Sequence, residues 1–113
     1  MCGIFGLLNN DPDKITNKDA VYMSDKGKPR GPESSNAYFS ENNKVMLGFH
    51  RLAINGLDAE SDQPLCIQGC RLICNGEIYN YKSLYQQLNR IPITRSDCEI
   101  IIHMYREYGI DYK

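Results

Sequence analysis

The sequence predicts an α+β fold, and three observations carry that prediction. Val45, Leu47 and Phe49 alternate with Met46, Gly48 and His50, the period of two that a pleated strand imposes by sending successive side chains to opposite faces. Further along, Ser96-Asp97-Cys98-Glu99 has the spacing of a capping box. Ile100, Ile101, Met104, Tyr105 and Tyr108 follow as one apolar face and Gly109 supplies a stop, which together read as an amphipathic helix. Short apolar runs bounded by Gly, Pro, Asn and Asp clusters fill much of the rest, so strands should outnumber helices.

In chain order, Cys2 to Leu8 is an apolar run ended by Asn9-Asn10-Asp11-Pro12 and reads as a buried strand. Asn17 to Lys26 reads as a short helix capped by Thr16 or Asn17 and stopped at Gly27. Lys28 to Pro32 reads as loop. Ala37 to Ser40 and Lys44 to Ile54 are strands joined by a Glu41-Asn42-Asn43 turn, and Gln68-Gly69 makes a hairpin of Leu65-Cys66-Ile67 and Cys70 to Cys74. Tyr81 to Leu88 is helical, ahead of the final helix.

At 113 residues the chain holds one domain, since domains commonly run to roughly 100–150 residues. Thirteen basic residues face fourteen acidic ones, a balance with no electrostatic footprint for nucleic acid or an anionic membrane. No apolar stretch is long enough to span a bilayer, and Met1 to Leu8 lacks the basic start of a signal peptide. Five cysteines, an odd number, fit reduced thiols. The expected location is cytoplasmic. No phosphate-cradling glycine motif occurs.

Several residues are candidates for chemistry. If Met1 is trimmed, Cys2 carries its thiol beside a free α-amine whose reference pKa of about 7.7–8.0 suits it to take the thiol proton; otherwise Cys2 is a strand residue. Gly3 and Gly6 leave room for a substrate or a loop to approach. Asn75-Gly76 is either a turn with Gly76 at positive φ or an oxyanion hole built from the Asn75 amide and the Gly76 N–H. Arg51, in a β stretch, is either a structural ion-pair partner or a fork for a planar anion. Asp97 either stabilises a helix start or, opposite Arg51, helps grip an amino acid by both charged ends. Cys66, Cys70 and Cys74 lack zinc-ligand spacing, so no metal site is expected. His50 and His103 do not make a triad, and His103 should face solvent or the core edge.

Taken together, Met1-Cys2-Gly3-Ile4-Phe5-Gly6, Arg30-Gly31-Pro32-Glu33, His50-Arg51-Leu52-Ala53-Ile54, Gln63-Pro64-Leu65, Asn75-Gly76-Glu77-Ile78-Tyr79-Asn80 and Ser96-Asp97-Cys98-Glu99 resemble the class II glutamine amidotransferases, closest to the glutaminase domain of glutamine-hydrolysing asparagine synthetases. The resemblance implies an N-terminal nucleophile hydrolase: a four-layer sandwich of two antiparallel sheets flanked by helices, incomplete in this stretch. It implies that Cys2 attacks the side-chain amide of L-glutamine and that Asn75 and Gly76 form the oxyanion hole. Arg51 would hold the substrate carboxylate, Asp97 and Glu77 its amino end, and the Leu52, Ala53, Ile54 and Asn55 backbone one wall.

The family's R-G-P is usually followed by Asp, where this chain has Glu33. The synthetase domain, with its ATP and Mg, is absent, so residues 1–113 are expected to be the N-terminal part of a longer glutaminase domain. Its ammonia would amidate an aspartyl-adenylate to give L-asparagine. Two alternatives stand: a catalytically silent glutamine-binding module, or the glutaminase of another class II amidotransferase. Uncovered apolar residues also leave an oligomer open.

Overall fold

The computed structural model describes residues 2–52 and 62–111, without the Asp111 side chain. Met1, Ala53, Ile54 and Asn55 lie outside the described residues. The architecture is α+β: strands β1 (Gly3–Leu8), β2 (Ser34–Phe39), β3 (Val45–Arg51), β4 (Leu65–Ile67) and β5 (Cys70–Leu72), and helices α1 (Asn17–Ser24), α2 (Tyr81–Leu88) and α3 (Ile100–Tyr108). The strands form a three-stranded antiparallel sheet in the order β1-β3-β2 and a separate β4-β5 hairpin.

The register sets up everything that follows. Gly3 pairs with His50 on one side of β3, and Ser34 with Arg51 on the other. The start of β1, the start of β2 and the end of β3 therefore meet at one end of the sheet. The β2–β3 ladder continues past Ser34, where the Glu33 N–H donates to the Arg51 carbonyl at 3.1 Å. This pairing explains why β2 begins at Ser34 rather than Ala37: the polar start Ser34-Ser35-Asn36 has no apolar signal, but it has a partner strand to bond to.

β1 is a strand, as expected, but not a buried one. Among the described residues it lies at the sheet edge, with Ile4 46% and Leu8 82% exposed. β5 stops at Leu72 rather than Cys74, and Lys28 to Arg30, expected as loop, belong to a 3₁₀ turn spanning Asp25–Arg30. Pro29 is compatible with that turn because its fixed φ is near-helical. This turn packs hard against β3. A Cβ on Gly31 would lie 2.1 Å from the His50 carbonyl oxygen, and one on Gly3 2.8 Å from that of Gly27. Gly3 thus admits a loop, whereas a Cβ on Gly6 would approach only Leu47, at 4.0 Å.

The capping box occurs at the first helix and fails at the last. Thr16 Oγ1 accepts from the Asp19 N–H while the Asp19 carboxylate accepts from the Thr16 N–H. At the last helix Ser96 Oγ accepts from the Cys98 N–H, but Glu99 turns inward instead of back to Ser96. A 3₁₀ turn, Asp97–Glu99, precedes α3 and rotates its faces. Ile100, Ile102 and His103 are buried while Tyr105 and Tyr108 are more than half exposed, so the expected apolar stripe is only partly the inner one. Ile102 packs with Leu65 and Ile67 of β4. His103, expected to face solvent or the core edge, is buried, and Glu99 receives it, Oε2 to Nε2, at 2.7 Å.

Candidate functional site

A cavity of about 130 Å³ opens where the end of β3, the chain after β5 and the segment before α3 converge. Cys2 is among its lining residues. The Sγ accepts from the Leu52 N–H at 3.3 Å and donates to the Leu52 carbonyl at 3.5 Å, a direct result of the register that sets Gly3 against His50. The Arg30 Nε donates to the Cys2 carbonyl at 3.4 Å. Arg30, from R-G-P, thus steadies the backbone of the thiol-bearing residue.

Of the site residues picked out in the sequence, Cys2, Arg51, Leu52, Asn75, Gly76, Glu77 and Asp97 all line this cavity. Ala53, Ile54 and Asn55 are outside the described residues. Arg51 is buried and pairs through Nη1 with Asp62 at 2.5 Å, so its ion-pair reading and its place in the cavity hold together. Asp97 does not merely favour a helix start. Its Oδ2 accepts the Ile78 N–H at 2.6 Å, tying the segment before α3 to the Asn75-Gly76-Glu77 turn. Gly76 does not have the positive φ expected of a turn glycine, and a Cβ there would meet nothing within 4 Å.

Sequence reasoning did not assign Gln63, Cys74, Arg95, Ser96 or Cys98 to the site, yet they share the cavity. Gln63 is buried, and its Oε1 accepts the Cys74 N–H at 2.5 Å. The signal for it was the Gln63-Pro64-Leu65 motif, whose Gln63-Pro64 bond is cis. Cys98 Sγ donates to the Gly76 carbonyl at 3.6 Å. Burial pushes its thiol up, and the neighbouring Cys74 adds to the effect. Cys98 is therefore a neutral donor that holds the turn, not a nucleophile.

His50 lies outside this lining. It is buried, with Nδ1 2.7 Å from Ser35 Oγ and Nε2 2.7 Å from the Ser24 carbonyl, so it joins α1, β2 and β3. Among the described residues no cluster of three or more His, Cys, Asp or Glu side chains is arranged to hold a metal ion, and no helix is long and apolar enough to cross a membrane.

A family model described as a glutamine amidotransferase domain matches residues 1–113. The chain is 38% identical over 117 residues to asparagine synthetase [glutamine-hydrolyzing] 1 of Arabidopsis thaliana and 40% identical over 116 residues to the root asparagine synthetase [glutamine-hydrolyzing] of Pisum sativum. It is 36% identical over 118 residues to asparagine synthetase [glutamine-hydrolyzing] 2 of Bacillus subtilis. Each match covers 99% of this chain, but the chain spans only 19% of the two plant proteins and 15% of the bacterial one. With the family match running from Met1 to Lys113 and these relatives aligned along nearly the whole chain, the chain belongs to the glutamine amidotransferase domain family.

Proposed function

We propose that this domain hydrolyses L-glutamine to glutamate and ammonia through a thioester on Cys2, as the ammonia-generating part of a glutamine-hydrolysing asparagine synthetase. The observation that supports it most is that the Cys2 thiol shares one cavity with Asn75, Gly76 and Asp97. Loss of Met1 leaves an α-amine on the residue that bears the thiol. The amine takes the thiol proton and Sγ attacks the side-chain amide carbon. The Asn75 amide and the Gly76 N–H meet the developing oxyanion. Collapse of the tetrahedral intermediate expels ammonia, which carries away the proton held by the amine. Water then adds to the thioester with the amine again as base, releasing glutamate and restoring the thiol.

Arg51 holds the substrate carboxylate and shares its fork with Asp62, which a guanidinium's five N–H donors permit. Asp97 and Glu77 face the substrate ammonium, and the backbone from Leu52 to Asn55 forms a wall. The synthetase portion, with ATP, Mg and the aspartyl-adenylate that accepts ammonia, belongs to the rest of the protein. We also propose a cytoplasmic location and, for the whole domain, the four-layer sandwich of the N-terminal nucleophile hydrolases.

Met1 provides the test, because an amide nitrogen cannot accept the thiol proton. Glutamate release by the full-length protein should scale with the Met1-processed fraction measured by intact mass, and Cys2→Ser should turn glutamine over far more slowly. Full activity in protein whose N-terminus is shown by mass to be blocked would sink the mechanism. Binding of glutamine by processed protein without ammonia release would instead make this a silent glutamine-binding module.

A further inference from the structure

We infer that the buried Glu99–His103 pair is a positioning element for glutamine recognition, acting through the loop that carries Asp97; the inference rests on reading the cavity as the glutamine site. Glu99 is 0% exposed. A carboxylate taken out of water persists only where hydrogen bonds replace its hydration. Here Oε1 accepts from the Thr94 N–H at 2.6 Å, Oε2 accepts from the Ile93 N–H at 3.0 Å, and Oε2 lies 2.7 Å from His103 Nε2. The ring of Tyr85 on α2 packs edge-on against that of His103.

The consequence lies in what these bonds enclose. Ile93-Thr94 on one side and Glu99 on the other close a loop whose intervening residues, Arg95, Ser96, Asp97 and Cys98, all line the cavity. The loop reaches across to the Asn75 turn through Asp97 Oδ2 to the Ile78 N–H and Cys98 Sγ to the Gly76 carbonyl. Neither Glu99 nor His103 lines the cavity itself, so the pair acts through that loop. Asp97 meets the substrate ammonium, which is the same in ground and transition states. Displacing Asp97 therefore removes uniform binding, which raises KM and spares kcat.

The test is steady-state glutamine hydrolysis by the full-length protein. Glu99→Gln keeps the volume but replaces one acceptor oxygen with an NH₂ facing N–H donors. We expect KM for glutamine to rise about tenfold, with kcat within about threefold of wild type. His103→Gln keeps a donor toward Glu99, so a rise of about threefold in KM is expected; it carries the test if Glu99→Gln does not fold. Ile67→Val, in the apolar cluster beneath α3, loosens the core without touching the loop and should leave KM unchanged. An unchanged KM in a folded Glu99 or His103 variant, or an equal rise in Ile67→Val, overturns the inference and leaves the glutamine reading standing. Wild-type protein that releases no more glutamate than Cys2→Ala overturns that reading, and the inference with it.

Discussion

Asn75 and Asp97 line the same cavity, but the proposed chemistry asks different things of them. An oxyanion donor acts only as charge develops, so Asn75→Ala should lower kcat by about 10²–10³-fold with KM little changed. Asp97→Asn keeps an oxygen for the Ile78 N–H but removes the charge proposed to meet the substrate ammonium, so it should raise KM. Steady-state kinetics on folded variants reads both. An Asn75→Ala protein with unaltered kcat would remove Asn75 from the oxyanion hole, and an unaltered KM in Asp97→Asn would return Asp97 to a structural role. At this scale the residue types were legible, because a thiol, an amide, a guanidinium and a carboxylate announce their chemistry. The supporting contacts were not: nothing local says that Gln63 accepts from Cys74 or that Cys98 donates to Gly76.

Among the elements, the 3₁₀ turn from Asp25 to Arg30 matters beyond its length. It brings Arg30 to the Cys2 carbonyl and packs so closely on β3 that Gly31 has no room for a side chain. The atom a Cβ would strike there is backbone, which cannot rotate away. Gly31→Ala should therefore destabilise the protein by about 3 kcal/mol, at the upper end of overpacking costs, read as a lowered denaturation midpoint. Loss of under about 0.5 kcal/mol, the size of an ordinary surface change, would show that the contact relaxes freely. The hairpin, α2 and most of β3 were legible from turn residues and periodicity. The start of β2 and the inner face of α3 were not, since one depends on a partner strand and the other on the 3₁₀ turn that precedes the helix.

For the whole molecule, the buried Glu99 carboxyl ties stability to pH. Burial alone would push it up, but the Ile93 and Thr94 backbone N–H groups, His103 and the Thr94 side chain outweigh that and hold it below its ordinary value of 4.5. A carboxyl lowered by folding contributes stability that is fully present above its unfolded pKa and is lost as pH falls through the folded one. Stability should hold above about pH 4.5 and decline below it. Glu99→Gln should be less stable at pH 7 by about 2 kcal/mol, the cost of disturbing hydrogen bonds to a buried charged group, and should show a shallower acid decline. Denaturant titrations at several pH values measure both. Parallel acid limbs in the two proteins would show that other carboxyls govern the decline.

The sequence by itself determined the α+β class and the residue types available for chemistry, because these follow from periodicity, turn residues and side-chain chemistry that are local to each stretch, and its motifs carried the resemblance to the family. Only the tertiary structure decided that β1 is an exposed edge, that Glu99 abandons its cap to hold His103, and that Asp97 bonds the Ile78 N–H. The first rests on strand order and the last on a contact between residues 19 apart in the chain. Glu99 and His103 are only four residues apart, but whether Glu99 caps Ser96 or turns inward is decided by the packing that buries the pair, which forms only when the chain is folded.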